Sequence, residues 1–438
     1  MKHRKNKIKK HEIYQSINEL KDFLMLWSTQ SISQLGSSIT AFALTLWLYE
    51  KTGSSLSTAA LTICSYVPYV LMSIFAGALT DRFDKKKTML VCDAFAAVCT
   101  MTIFVLFRLD CLRVWHLYVL NAVSGLMNTV QQPASEVAMT YIVPEKYYQK
   151  TSGLCSLSRS LLSILNPLIA TALYALAGLN LVIAVDLGSF AVAFVTLLFF
   201  IRIPETKGAD SESVLNLAKE GLQFLRENPM IMTLIFFMSG VNLVASAFDA
   251  VLPGYVLPNP RGGSQVLGLV TSCAGVAMIL GSLLVAVLPK PKDRVRVIYL
   301  TMLFSLGTEN FLLAFSREPV LWCVGQIIGW ILVPVMSANL DVILRTSIPV
   351  ELQGRVYACR NTFQFFTIPI GLFAGGLMVD QICEPFMSAY GHLSILKTLF
   401  GAGKGSGAAL MMFVLGVSGS LICILTGRKL KNYHYREK

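Results

Sequence analysis

Long apolar runs separated by short polar segments dominate the chain. Twelve of these runs could each cross a bilayer, which takes about 20 apolar residues. Their apolar positions are continuous and do not alternate, so the pattern predicts helices and excludes a β-barrel. The fourth run is longer than one crossing needs, and its end after Pro133 is expected to project from the membrane. The predicted spans are 23–49, 57–80, 88–107, 114–143, 151–177, 179–201, 230–252, 266–288, 297–315, 320–344, 356–379 and 408–426.

The composition agrees with this pattern. Hydrophobic residues make up 54% of the chain and charged residues 14%, with a mean hydropathy of +0.61. Soluble domains carry about 25% charged residues. A soluble protein this apolar would have too little polar surface, so the sequence predicts an all-α integral membrane protein.

The basic residues are distributed unevenly between the two sides of the predicted spans. If both termini lie on one side, that side holds 30 of the 37 Lys and Arg residues. Because Lys and Arg accumulate on the cytoplasmic side, both termini are predicted to be cytoplasmic and the protein to be multi-pass in the cell (plasma) membrane. This bias and anionic lipid headgroups explain the net charge of +12 without a nucleic-acid partner.

One charged interior stretch divides the spans six and six. The predicted organisation is a basic cytoplasmic segment (1–22), a first six-helix half (23–203), a cytoplasmic linker with an amphipathic helix (204–229), a second six-helix half (230–427) and a basic cytoplasmic tail (428–438). Apolar residues recur at helical spacing within the linker, as in a helix that lies on a membrane surface.

The two halves resemble each other weakly. Pro133 in span 4 is followed by Val143-Pro144-Glu145, and Pro334 in span 10 is followed by Ile348-Pro349-Val350-Glu351. Two halves related by a pseudo-twofold axis form a transporter architecture with the substrate site between them.

Signatures of catalysis are missing from the sequence. The chain has neither a P-loop nor an HExxH motif, and no Ser/His/Asp set stands out. None of its ten cysteines forms a CxxC pair, and most lie inside apolar runs. We therefore predict that the protein is not an enzyme and has no metal, cofactor or disulfide framework.

The segment Gly77-Ala78-Leu79-Thr80-Asp81-Arg82-Phe83-Asp84-Lys85-Lys86-Lys87 joins spans 2 and 3. Its Gly77, Asp81, Arg82 and Lys85–Lys87 cluster resemble the loop motif of the major facilitator superfamily of transporters. Further elements are similar to the branch that includes macrolide efflux proteins and the enterobactin exporter. These are Tyr66-Val67-Pro68, Pro133-Ala134 with Val143-Pro144-Glu145, Glu351-Leu352-Gln353-Gly354-Arg355-Val356, and Pro369-Ile370-Gly371.

The resemblance implies a major facilitator fold of twelve helices in two halves that rock about a midplane site. In the family, the motif acid pairs with the neighbouring half when the transporter faces outward, and Asp81 is the matching residue here. A turn that serves topology alone is the other interpretation. Drug/proton antiporters often carry an Arg where this chain has Ser124, and Gly-Pro where it has Asn166-Pro167. Arg159 in span 5 is a candidate substitute.

Ionisable residues inside spans cost roughly 2.5–3.5 kcal/mol each on insertion scales, so they call for a reason. The resemblance implies that spans 1, 4, 7 and 10 line a central cavity, which favours Asp249 and Asp341. Asp93, Asp186 and Glu309 are expected to bond backbone or neighbouring helices. A structural role stays open for every acid. The candidates for coupling or substrate binding are Asp249, Asp341, Glu136, Arg159, Gln34, Asn128, Gln131 and Asn339.

The expected function is proton-coupled export of amphipathic small molecules, such as drugs or macrolides, by an antiporter of the multidrug-resistance type. Expected partners are the substrate, protons and membrane lipids, and a monomer suffices because one chain holds both halves. One alternative is export of a siderophore or a peptide-like metabolite. Another, from a different class, is a membrane sensor that transports nothing.

Overall fold

Helices make up almost all of the computed structural model, which describes residues 19–82, 84–144, 147–203 and 214–430. No β-strand occurs within these ranges. In the first part of the chain the helices are α1 (Lys21–Thr52), α2 (Ser55–Arg82), α3 (Lys85–Arg108), α4 (Val114–Ile142), α5 (Tyr148–Phe199) and α6 (Val214–Glu227). In the second part they are α7 (Pro229–Val256), α8 (Ser264–Val287), α9 (Arg294–Phe315), α10 (Pro319–Ile331), α11 (Val333–Ser347), α12 (Val350–Phe365), α13 (Thr367–Met378), α14 (Glu384–Tyr390), α15 (Ser394–Phe400) and α16 (Ser406–Leu430).

All the described helices except α6, α14 and α15 fall where the apolar runs predicted membrane spans. Within the described ranges, nine helical segments are long and apolar enough to cross a membrane. One of them, Leu157–Phe199, runs through two predicted spans. The all-α membrane fold is therefore confirmed, while the count of twelve crossings stays a prediction.

Three breaks divide the longest helical segments. Ala177 and Gly178 leave helical geometry inside α5, at the boundary predicted between spans 5 and 6. Gly178 has a φ of 62°, in the left-handed region that glycine adopts without a Cβ clash. Leu332 separates α10 from α11 just before Pro334, because a proline cannot donate a helical hydrogen bond. Phe366 separates α12 from α13 in the same way, three residues before Pro369.

The bundle has two ends, which contacts between helix ends distinguish. At one end, Leu20 and Phe23 at the start of α1 pack with Val143 and Tyr147 of the α4–α5 loop. We call the end with the α3 N-terminus, the α8–α9 loop and the C-terminus of α16 the basic end, because most of the described Lys and Arg residues lie there. We call the other end, with the α1–α2 and α3–α4 loops, the distal end.

Most helix–helix contacts lie within one half, and fewer helix pairs make contact between the halves. In the first half α1 packs on α5 and α2 on α4, and in the second half α7 packs on α13 and α9 on α16. Between the halves, α5 meets α8 and α2 meets α13. Small residues permit these approaches, as at Gly375, where an added Cβ would lie 2.6 Å from the Ala247 carbonyl oxygen.

Helix α6 lies in the predicted linker and joins the halves at the basic end. It packs on α12, where Glu220 forms an ion pair with Arg355, and its Leu225 is fully buried. A polar helix with one buried apolar side matches the predicted amphipathic element.

Candidate functional site

A cavity of about 290 Å³ lies between the two halves. Both halves contribute to its wall, which fits the expectation for a ligand site at a domain interface. Helices α1 and α2 supply its first-half side, and α7, α10 and α13 its second-half side. The lining residues are Thr45, Thr58, Ala59, Thr62, Tyr66, Asn242, Ala245, Ser246, Asp249, Ala250, Pro253, Trp330, Ile368 and Leu372.

Asp249 on α7 is the sole charged residue among these lining residues. Its side chain is exposed to the cavity, and it forms neither a hydrogen bond nor an ion pair with any residue that the structure describes. The aromatic rings of Tyr66 and Trp330 line the same cavity. A carboxylate beside aromatic faces suits a ligand that combines a cationic group with apolar surface.

A second acid lies behind this wall. Glu309 on α9 is 5% exposed and packs against Gly329 of α10, and the Trp330 side chain interacts with it. Its Oε1 atom is buried and has no hydrogen-bond partner in the described part of the chain. Trp330 therefore stands between a carboxylate in the cavity and one in the protein interior.

Polar groups near Asp249 are engaged by the surrounding helices. The Asn242 side-chain amide donates to the Gln364 carbonyl oxygen at 2.9 Å, and the Ser246 hydroxyl donates to the Asn242 carbonyl oxygen at 2.7 Å. Thr58 likewise donates to the Ser55 carbonyl oxygen at 2.9 Å. The unpartnered carboxylate is thus distinct from its neighbours.

Two other intramembrane acids are bonded to neighbouring helices. Asp93 on α3 accepts hydrogen bonds from Gln30 of α1, at 3.3 Å, and from Gln131 of α4. Asp186 on α5 accepts one from Ser37 of α1 at 3.0 Å. The candidate Gln131 therefore bonds to an acid within the first half, and it is not among the lining residues of the cavity.

The candidates of span 10 have different surroundings. Asp341 on α11 has an exposed side chain and lies close enough to Arg360 of α12 for their charges to interact. Asn339 is buried, accepts a hydrogen bond from Arg294 at 3.0 Å and donates to Val335. Neither lines the cavity around Asp249.

The remaining candidates are spread over the first half. Gln34 on α1, Asn128 on α4 and Arg159 on α5 have exposed side chains and do not line this cavity. The side chain of Glu136 lies outside the described part of the structure.

The comparison with known protein families decides what kind of protein carries this cavity. Residues 26–372 match the Major Facilitator Superfamily, which is well over half of the chain. The chain belongs to the major facilitator superfamily. It is therefore a transporter-family protein, as the loop motif predicted.

Two relatives of this major facilitator protein are efflux proteins. It is 26% identical to macrolide efflux protein A of Streptococcus pyogenes over 368 residues, which cover 82% of this chain and 90% of that protein. It is 25% identical to the multidrug efflux pump Tap of Mycolicibacterium fortuitum over 364 residues, covering 79% and 86%. These relatives confirm the predicted resemblance to efflux proteins.

Solved structures with very different sequences share the fold. A bacterial homolog of the human lysosomal transporter Spinster, in an inward-facing and occupied conformation, superposes with a TM-score of 0.72 at 12% identity, covering 95% of this chain and 98% of that chain. The nucleoside transporter NupG gives 0.69 at 11% identity, covering 94% and 99%. At such identities the likeness concerns the fold alone.

The major facilitator loop motif lies at the basic end. Gly77, Asp81 and Arg82 belong to the last turns of α2, and their side chains lie outside the described part. Lys85 begins α3 and is buried, and the Lys86 ammonium donates to two carbonyl oxygens at the end of α5. The basic cluster is therefore partly packed against the protein.

Several cavity residues were not among the predicted candidates. Thr45, Thr58 and Thr62 carry no distinctive signal, because threonine is ordinary in membrane helices. Tyr66 belongs to the Tyr66-Val67-Pro68 motif, which indicated the family but not a binding site. Trp330 lies within an apolar run, where an aromatic residue gives no sign of a site. Only the tertiary contact between halves brings these residues together.

Proposed function

We propose that this major facilitator protein exports amphipathic cations in exchange for protons by alternating access. The observation that carries this proposal is the carboxylate of Asp249, which faces a cavity between the halves and has no hydrogen-bond or ion-pair partner among the described residues. Two aromatic side chains that line the same cavity, Tyr66 and Trp330, suit the apolar part of such a ligand. The similarity to macrolide efflux protein A and to Tap supports export of drug-like molecules.

The exchange follows from the charge of one carboxylate. Ionised Asp249 binds a monovalent cation from the cytoplasmic side, and the halves then rock to open the other side. A proton from outside protonates the carboxylate and releases the cation, because a neutral acid no longer attracts it. The protonated protein returns and releases the proton inside. One proton thus replaces one positive charge, so the cycle is electroneutral if Asp249 is the one group that titrates.

The proposal includes an orientation and an organisation. The basic end is cytoplasmic, with both termini there, because Lys and Arg accumulate on that side of membrane proteins. The halves 23–203 and 230–427 rock about the cavity, joined by the linker 204–229, and one chain suffices. Asp81 stabilises the outward-facing state through the neighbouring half.

The cavity is less favourable for the alternative functions. A siderophore or a peptide-like metabolite with several carboxylates would meet a like charge at Asp249, although a neutral or cationic metabolite would fit. Placing a carboxylate inside the membrane costs free energy of desolvation. A sensor that transports nothing does not require such a carboxylate in an open cavity.

Purified protein in liposomes provides the test. We would load vesicles with a pH gradient and measure uptake of a cationic dye and of a macrolide, with nigericin to collapse the pH gradient and valinomycin to set the membrane potential. The variant is Asp249→Asn. The matched control is Asp110→Asn, which removes a carboxylate from the α3–α4 loop at the distal end, away from the cavity.

The expected result is uptake that nigericin abolishes, that valinomycin alters little and that Asp249→Asn loses while Asp110→Asn retains. Losing a charged partner weakens cation binding about 10–100-fold, since such a contact contributes roughly 1.5–3 kcal/mol. Uptake that persists without a pH gradient, or that Asp249→Asn leaves intact, contradicts the proposal. Transport of neutral or anionic metabolites alone would favour the alternative exporter.

A further inference from the structure

A carboxylate from the second half caps a helix of the first half at the distal end. Asp380 accepts a hydrogen bond from the Ser54 hydroxyl at 2.6 Å. It also accepts from the backbone N–H groups of Ser55, at 3.2 Å, and Leu56, at 2.8 Å. Ser55 begins α2, so these are N–H groups that no turn of that helix can satisfy.

The chemistry of this contact favours a strong interaction. The first N–H groups of a helix carry a partial positive charge, and a carboxylate there is stabilised by the helix dipole and by charge-assisted hydrogen bonds. Both oxygens of Asp380 are used. A helix is normally capped by a residue of its own chain segment, whereas this cap lies more than 300 residues away.

The local backbone places the carboxylate. Asp380 lies in a five-residue π-helical turn, Val379–Cys383, which follows α13. The extra residue in such a turn rotates the side chains that come after it, and π-helical turns are frequent at functional sites. The irregular turn therefore lies in the segment whose Asp380 side chain contacts the other half.

Apolar contacts surround the cap and close the same end of the cavity. Ala59 of α2, Ala250 of α7 and Leu372 of α13 form one buried cluster across the halves. Gly376 approaches so closely that an added Cβ would lie 2.8 Å from the Leu56 Cα atom. Ala59, Ala250 and Leu372 also line the cavity, so the Asp380 contact lies directly beyond its distal wall.

We propose that Asp380 is a positioning residue of the transport cycle, a latch that stabilises the state whose cavity is closed at the distal end. The proposal rests on the alternating access proposed above. Opening the distal end must separate α2 from α13, which breaks all three Asp380 hydrogen bonds together. The latch thus acts on the opposite end of α2 from the loop motif that contains Asp81.

A second carboxylate on the same segment provides a matched control. Glu384, four residues after Asp380, accepts from the backbone N–H groups of Gly405 at 2.9 Å and Ala408 at 3.4 Å. These groups begin α16, which belongs to the same half as Glu384. Glu384 therefore caps a helix that does not move away from it, while Asp380 caps one that does.

Hydrogen–deuterium exchange of the full chain in lipid nanodiscs tests the latch without any substrate. We would compare wild type, Asp380→Asn and Glu384→Gln. Asp380→Asn is expected to raise exchange about tenfold in the distal segments 53–62 and 372–383, because a lost charged partner shifts the population towards the open distal end. Exchange at the basic end, in α6 and α12, is expected to fall in the same variant. Glu384→Gln is expected to raise exchange near residues 403–410 alone.

Two further variants keep the test decisive. Ser54→Ala removes one of the three hydrogen bonds from the first half and should give the same pattern at smaller amplitude. Asp380→Glu keeps the charge and should restore part of the wild-type exchange. If Asp380→Asn raises exchange only at residues 53–58 and leaves the basic end unchanged, the contact is a local cap and the proposal fails.

The outcome separates this proposal from the proposed function. A shift between the two ends in Asp380→Asn, together with no uptake of any tested compound by wild type, would support the latch and contradict drug export. Uptake of cations with no shift in Asp380→Asn would support export and contradict the latch.

Discussion

Lys86 provides a test of what the basic cluster of the loop motif does. Positive charges at this loop are explained by topology alone, because Lys and Arg accumulate on the cytoplasmic side. The structure shows a more specific contact. The Lys86 ammonium donates to the carbonyl oxygens of Leu198, at 3.0 Å, and Ile201, at 2.7 Å. Leu198 lies in the last turn of α5, where helix oxygens lack intrahelical partners and carry partial negative charge, and Ile201 lies two residues beyond that helix.

The expected magnitude follows from these two bonds. Hydrogen bonds to a charged group contribute roughly 1.5–3 kcal/mol when shielded from water. The contact to Leu198 is exposed and the contact to Ile201 is half-buried, so water competes for both. We expect Lys86→Ala to cost about 1–2 kcal/mol, within the range for a cation at a helix C-terminus. In a unit the size of one half, each kcal/mol of lost stability lowers the melting temperature by about 2–4 °C. The expected decrease for Lys86→Ala is therefore about 2–8 °C.

The neighbouring lysine is the matched control. Lys87 has an exposed side chain that donates no hydrogen bond to any described residue, although its backbone N–H is capped by Asp84 at 2.7 Å. Lys87→Ala therefore removes the same charge from the same loop without removing the contact to α5. The assay is thermal unfolding of purified protein followed by fluorescence-detected size exclusion. Equal losses in Lys86→Ala and Lys87→Ala would refute the capping role and leave only a topological one.

Two further predictions concern packing inside the membrane. Asp93→Asn should lower the free energy of unfolding by about 1–3 kcal/mol, because Gln30 and Gln131 donate to different carboxylate oxygens and the substitution turns one of these acceptors into an NH2 donor. We expect pH-driven transport per folded molecule to stay at the wild-type level. A loss of transport without a loss of thermal stability would contradict this assignment. Gly376→Val should separate α2 from α13 at the distal end, since its Cβ would meet the Leu56 backbone, and should raise deuterium exchange in residues 53–62. Unchanged exchange there would show that the contact adapts.

Much of the fold could be predicted because the bilayer imposes simple rules. An apolar run must form a helix in lipid, so its position along the chain is sufficient to place the element. Gly178 marked the break inside α5, since a glycine between two apolar runs adopts the left-handed φ that ends a helix. The linker helix α6 was equally visible, because its apolar residues recur at helical spacing within a charged stretch.

The candidate site was less predictable. Among the seven predicted candidates whose side chains the structure describes, Asp249 is the one that lines the cavity, and it was favoured because it lies on span 7. Asp93 was correctly expected to bond neighbouring helices, yet nothing in the sequence named Gln30 and Gln131 as its partners. Asn339 lies in the same predicted span as the cavity residue Trp330, but its side chain bonds to Arg294 instead of lining the cavity. The sequence could not predict this, because a run that is apolar all round does not show which side of the helix faces the cavity.

By itself the sequence determined the class of structure, the positions of its long apolar helices and the family, since each depends on local composition or on short motifs. Tertiary structure decided which polar groups meet. Among the residues that the structure describes, it left Asp249 without a partner in a cavity between halves, and it brought Asp380 to a helix start more than 300 residues away. The physical reason is that hydropathy governs insertion into lipid residue by residue, whereas hydrogen bonds and cavities depend on how helices rotate and pack against one another.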